Sequence, residues 1–178
     1  WPRVVNPKMS FPFDAQALEQ TVKLERLAEE QIKTAFRTQK DDICAIIIES
    51  IQGEGGDSHF RPEFMKKLRE LCDENEAMLI FDEVQSGMGL TGKFWAHEHS
   101  GVRPDMFAFG KKTQVCGFVA NERIDSVADH VFKEESRINS TWGGNLVDMY
   151  RCKLYLDIIR DEKLLEHATK MGDVLLTG

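Results

Sequence analysis

Two side chains stand where chemistry is readily built. Asp82 ends the short apolar run Met78–Phe81, and Lys111 follows a second run, Met106–Phe109, with Gly110 between. A carboxylate holds a proton or a positive charge on a neighbour, and a lysine amine, once neutral, serves as nucleophile or base. An acid and an amine set just past buried strands point to a site on a parallel sheet, since open α/β sheets bind ligands outside the carboxyl ends of their strands. Each residue alone has a plainer reading: the acid starts a loop or caps a helix, and the lysine is a solvated charge. The neighbours weigh against that. Asp82-Glu83-Val84-Gln85 runs into Gly87, Gly89 and Gly92, and Lys111 lies between Gly110 and Gly117, so the backbone is crowded around both charges.

These segments resemble the class III (omega) aminotransferases, pyridoxal-phosphate enzymes of fold type I. Asp82-Glu83-Val84-Gln85 with its spaced glycines is similar to that family's most specific motif. Glu49-Ser50-Ile51-Gln52-Gly53-Glu54-Gly55-Gly56 resembles its EPxQGEGG signature, with Ser50 where proline is usual. Gly110-Lys111 resembles the cofactor-lysine position, and Asn139-Ser140-Thr141-Trp142-Gly143-Gly144-Asn145 its STxxGN segment. The stretch GKKTQVCG departs from the glycine-rich wording usual there. Together with NSTWGGN it most resembles the members that act on the ε-amino group of L-lysine.

The resemblance implies an α/β fold, the large domain of a fold type I transferase, with a mostly parallel sheet flanked by helices. It implies that residues 1–178 are part of the cofactor-binding domain of a longer protein, with the phosphate-binding turn upstream and a small domain downstream. The implied reaction moves the ε-amino group of L-lysine to 2-oxoglutarate, giving 2-aminoadipate 6-semialdehyde and glutamate. Ornithine or 4-aminobutyrate as donor, a pyridoxal-phosphate aminomutase, and an inactive structural piece stay open as alternatives.

The same resemblance assigns roles. Asp82 holds the proton on the cofactor's ring nitrogen, a charge-assisted contact worth about 1.5–3 kcal/mol. Val84 packs on the ring face, and Gln85 reaches the ring's phenolic oxygen and the substrate. Lys111 carries the cofactor and, once released, is the general base; Lys112 is the competing lysine, set behind it because the family's lysine directly follows glycine. Thr141 binds the cofactor phosphate of a neighbouring subunit, which implies a homodimer. Glu54 pairs with a downstream arginine while the amino donor binds and frees it for 2-oxoglutarate, with glycines around it to permit the motion.

The elements that must position these residues are legible from periodicity. Asp14 is set to cap a helix running to about Gln39, with Leu24, Leu27, Ala28, Ile32, Ala35 and Phe36 on one face. The β-branched run Ile43–Ile48 predicts a strand buried on both faces. Pro62 opens a helix to about residue 76, and strand 77–81 follows, completing a right-handed βαβ unit. After a long connection, strands are predicted over 105–109 and 115–120 and a helix over Ile124–Phe132. A loop over 136–145 and two further helices, from Leu146 and from about Glu162, complete the order. His97 and His99, two residues apart, do not share a helical face and are not read as a metal pair.

Composition narrows the classes. The 178 residues suffice for one core, and a net charge of −7 argues against a nucleic-acid surface. No apolar run approaches the about 20 residues that span a bilayer. The four cysteines show no CxxC pairing, and three lie in apolar patterns, which predicts buried free thiols in a reducing, cytoplasmic setting.

Overall fold

The computed structural model describes residues 1–138 and 141–178; Asn139 and Ser140 of the NSTWGGN segment lie outside the described residues. Helix α1 spans Ala15–Thr38, started by Asp14, whose carboxylate accepts the Ala17 N–H at 2.7 Å. Its stripe Ala28, Ile32 and Phe36 is buried against α2, Pro62–Glu74, which opens on its proline and buries Phe64, Met65, Leu68, Leu71 and Cys72. Arg61, just before α2, meets Glu25 of α1 at 2.9 Å and ties the two helices together.

Four strands form one sheet in the order β1-β2-β3-β4: Ala45–Glu49, Met78–Asp82, Met106–Phe109 and Gly117–Ala120. The first three run parallel, and β4 returns antiparallel to β3. The register sets Glu49 beside Asp82 and Asp82 beside Ala108, so the carboxyl ends of the parallel strands are level.

Alternation along β2 divides the sheet. Leu79 and Phe81 are fully buried in the α1–α2 core, while Met78, Ile80 and Asp82 lie on the other face and are half-buried. That layering corrects the expectation for the first strand. Ile46 and Ile48 pack on the core, but Ile47 is 60% exposed, because β1 is an edge strand and α1 and α2 cover one face only.

At the amino ends of the strands, Asp105 is a buried anchor. It accepts the Leu79 N–H at 2.8 Å and Arg69 Nη1 at 2.7 Å, with Arg123 Nη1 at 3.4 Å. Burial pushes its pKa up, but the Leu79 N–H and the Arg69 guanidinium outweigh this and hold it below the usual carboxylate value.

Two further expectations are corrected. Over Ile124–Phe132 the chain forms a short 3-10 helix, Glu122–Ser126, followed by turns. Ser126 Oγ bonds back to the Arg123 carbonyl, and Val127, Val131 and Phe132 stay exposed, so no packed face stabilises a longer helix. All four cysteines are free, yet only Cys72 is buried; Cys44 and Cys116 are exposed and Cys152 is intermediate. Burial raises the Cys72 thiol to about 11.

The chain ends in α3, Leu146–Asp161, and α4, Leu164–Thr177. Asn145 caps α3 by accepting the Val147 N–H at 2.9 Å. Among the described residues, no helix is long and apolar enough to cross a membrane.

Candidate functional site

Asp82 is the last residue of β2, and its side chain emerges on the face that α1 and α2 leave open. One carboxylate oxygen, Oδ1, accepts the Val84 backbone N–H at 3.0 Å. Oδ2 has no hydrogen-bond partner among the described residues.

Lys111 is attached to the same tip by its backbone. Its N–H donates to the Val84 carbonyl at 3.3 Å, and its Nζ donates to Gln85 Oε1 at 2.9 Å. The Lys112 amine reaches the Gln85 carbonyl. Burial lowers the pKa of Lys112, the adjacent Lys111 cation lowers it further, and Glu83 opposes both. The expected residues Asp82, Val84, Gln85 and Lys111 thus lie together at the ends of β2 and β3.

The Glu54 loop crosses this group. Residues 52–58 form a tight turn closed by mutual backbone bonds between Gln52 and Ser58, at 3.0 and 2.9 Å. Gly53 lies against the Gln85 amide so closely that an added Cβ would stand 2.5 Å from its Cδ and Nε2. Glu54, the next residue, is exposed at the turn, and Gly53 N–H donates to Glu49 at 3.3 Å. Thr141 lies in the exposed turn before α3; among the described residues no hydrogen bond joins it to Asp82, Gln85 or Lys111.

Sequence reasoning passed over Glu83. It points to the opposite face from Asp82 and is 1% exposed. Oε1 accepts Ser50 Oγ at 2.7 Å and the His97 N–H at 2.7 Å, with His97 Nδ1 at 3.2 Å. Oε2 accepts the Ala96 N–H at 2.8 Å and Ser86 Oγ at 3.3 Å. Burial opposes its ionisation, but the bonds from His97, Ser50 and Ala96 outweigh that and hold its pKa below the usual value. The alternation of side chains was the signal available in the sequence; its donors come from an irregular connection that periodicity does not describe.

A cavity of about 450 Å³ opens on the Glu83 side, among Ser50, Phe60, Met65, Ala96 and His97. Its lining includes none of Asp82, Gln85 and Lys111, so the convergent polar group, not the cavity, marks the candidate site.

A class-III aminotransferase family model matches residues 2–178. An L-lysine-epsilon aminotransferase from Mycobacterium tuberculosis is 53% identical over 175 residues, which covers 98% of this chain and 38% of that relative. A mitochondrial 4-aminobutyrate aminotransferase from Sus scrofa is 36% identical over 182 aligned residues, covering 100% of this chain and 35% of the relative. Among solved structures, the lysine aminotransferase from M. tuberculosis in the internal aldimine form superposes with a TM-score of 0.91 at 53% identity, covering 98% of this chain and 40% of the other. The chain therefore spans well under half the length of the relatives it matches.

Proposed function

The chain belongs to the class-III aminotransferase family, and we propose that the full-length protein transfers the ε-amino group of L-lysine to 2-oxoglutarate, releasing 2-aminoadipate 6-semialdehyde and glutamate. Pyridoxal phosphate is the cofactor of this family. When bound, it draws electrons away from the carbon that bears the substrate amine.

The residues present fit that group. Asp82 offers Oδ2 on the open face, where a carboxylate would keep a ring nitrogen protonated. Val84, whose backbone N–H is held by the Asp82 carboxylate, is proposed to pack its apolar side chain on the ring face. Gln85 orients the Lys111 amine, which in its neutral form accepts and returns the proton moved during transfer. The single observation that carries the proposal is this grouping: an acid with one oxygen unpartnered among the described residues and an amine held by Gln85, hung on adjacent strand tips.

Lysine as donor is supported by the higher identity to a lysine enzyme, 53%, than to a 4-aminobutyrate enzyme, 36%. Glu54, exposed in the turn over Gln85, is proposed as the residue that pairs with an arginine elsewhere in the protein when the donor binds. Thr141, exposed and without a hydrogen bond to Asp82, Gln85 or Lys111 among the described residues, is proposed to serve the cofactor phosphate of the partner in a homodimer. The four free cysteines support a reducing compartment, and with it a cytoplasmic location.

The test is a donor screen on the full-length protein with pyridoxal phosphate and 2-oxoglutarate, following glutamate. L-Lysine should give the highest kcat/KM. A higher value with ornithine or 4-aminobutyrate would overturn the donor assignment, and turnover without a keto acid would point to a mutase.

A further inference from the structure

The geometry assigns Glu83 as a positioning residue for the cofactor site: its buried carboxylate fixes the β2 tip from beneath, and so sets where Asp82, Val84 and Gln85 present themselves. The inference rests on the cofactor reading above and extends it to a residue that touches neither cofactor nor substrate.

Three observations carry it. First, Glu83 N–H donates to the Ala108 carbonyl at 2.9 Å, so the β2–β3 ladder extends one residue past Asp82. This fixes the parity that sends Asp82 to one face and Glu83 to the other. Second, its two oxygens gather donors from three places: Ser50 beyond the end of β1, Ser86 in the turn after β2, and Ala96 and His97 at the far end of the same connection. The carboxylate thus clamps both ends of the connection and the neighbouring strand tip. Rings pack around this clamp, with Trp95 at 4.5 Å and His97 at 5.6 Å from Phe107. Third, the Glu83 carbonyl accepts the Gly87 N–H at 3.0 Å, and an added Cβ on Gly87 would stand 2.9 Å from that carbonyl and 2.8 Å from Trp95. The turn that carries Val84 and Gln85 is therefore closed against the clamp with no space to spare, and Lys111 hangs on it through the Val84 carbonyl.

The donor set makes the charge, and not only the shape, necessary. The Ala96 N–H meets one oxygen and the His97 N–H meets the other. A glutamine at this position, flipped either way, sets its NH2 group against a backbone N–H that cannot reverse its role. Glu83→Gln is thus isosteric but cannot satisfy both donors.

The experiment uses full-length protein, with Glu83→Gln and Ser50→Ala compared with wild type. Steady-state kinetics, visible circular dichroism of the bound cofactor and amide hydrogen exchange of the cofactor-free protein are measured. Glu83→Gln should lower kcat by about 10–100-fold with KM little changed, as expected when a site is held out of register. It should also weaken the visible dichroism and speed exchange at the Lys111 amide more than at the core amide of Leu79, a local difference that a loss of global stability alone would not produce. Ser50→Ala, which removes one donor and keeps the charge, should shift the same three readouts in the same direction by less. The inference is overturned if Glu83→Gln lowers only the melting temperature, with kcat, dichroism and Lys111 exchange as in wild type. If Glu83→Gln does not fold, Ser50→Ala decides by the same criteria. Should the wild type bind no cofactor, the family-based reading falls, while exchange in Glu83→Gln that quickens more at Lys111 than at Leu79 still supports the clamp, and equal or unchanged exchange at the two refutes it.

Discussion

The Lys111 amine donates to Gln85 Oε1 across 2.9 Å while the Lys112 amine reaches the Gln85 carbonyl, so consecutive lysines grip one glutamine by its side chain and its backbone. The two amines therefore stand in different surroundings. Lys111 meets a movable amide, whereas Lys112 is engaged by a fixed carbonyl.

That division predicts the outcome of exchanging each lysine in the full-length protein. Lys111→Ala should abolish the visible cofactor band and turnover. Lys112→Ala should keep the band and lose about 10-fold in kcat, because the Gln85 carbonyl loses its donor. Absorbance spectra decide between them, and a band retained only in Lys111→Ala would reverse the assignment.

Gly53→Ala should be costly out of proportion to its size. Its Cβ would stand 2.5 Å from the Gln85 amide, so either the Glu54 turn or Gln85 must move. A displacement near 1 Å at a reacting group costs on the order of 100-fold, so kcat should fall by about that factor. Wild-type kinetics in Gly53→Ala would show that this contact does not matter to the reaction.

Glu54→Ala separates the two half-reactions. If Glu54 masks an arginine while the donor binds, its removal should slow the half-reaction with L-lysine more than that with 2-oxoglutarate. Single-turnover spectra of each half-reaction measure this, and equal losses would count against a switching role.

Thr141 can be placed by mixing subunits. When Lys111→Ala and Thr141→Ala homodimers are dissociated and reassociated, half of the dimers should be mixed. If Thr141 serves the partner's site, one site in each mixed dimer is intact, and activity should return to about one quarter of wild type. No recovery above the parents would place Thr141 in its own chain's site.

Stability should fall at both ends of the pH range, with opposite signs of linkage. Glu83 and Asp105 have pKa values depressed in the folded chain, so their contributions are present above the ordinary values of 4.5 and 3.8 and are lost as pH falls below them. Cys72 is raised from 9.0 to about 11, so its contribution is present below pH 9.0 and is lost as pH rises towards 11. Thermal melts of the full-length protein across pH should show both losses. Asp105→Asn should flatten the acid limb and Cys72→Val the alkaline one; unchanged limbs would refute these assignments.

What could be read from the chain and what could not divide along physical lines. Asp82 and Lys111 were legible because short apolar runs end abruptly at them, and the parallel register then aligned Glu49, Asp82 and Ala108. The first strand was misjudged because an edge position is a property of the whole sheet: Ile47 has the same neighbours in sequence whether or not a layer covers it. The helix expected over Ile124–Phe132 failed for a related reason, since Val127, Val131 and Phe132 stay exposed and the contact of Phe132 with Phe118 does not make a continuous buried helical face. Glu83 was invisible as a clamp because two of its donors are backbone N–H groups 13 and 14 residues away, in a stretch without period.

The most direct test is a crystal structure of the full-length protein grown with pyridoxal phosphate. The cofactor's aldehyde carbon should be bonded to Lys111 Nζ, and Asp82 Oδ2 should lie within hydrogen-bond distance of the ring nitrogen. A cofactor joined to Lys112, or one whose ring nitrogen faces away from Asp82, would contradict the proposed site.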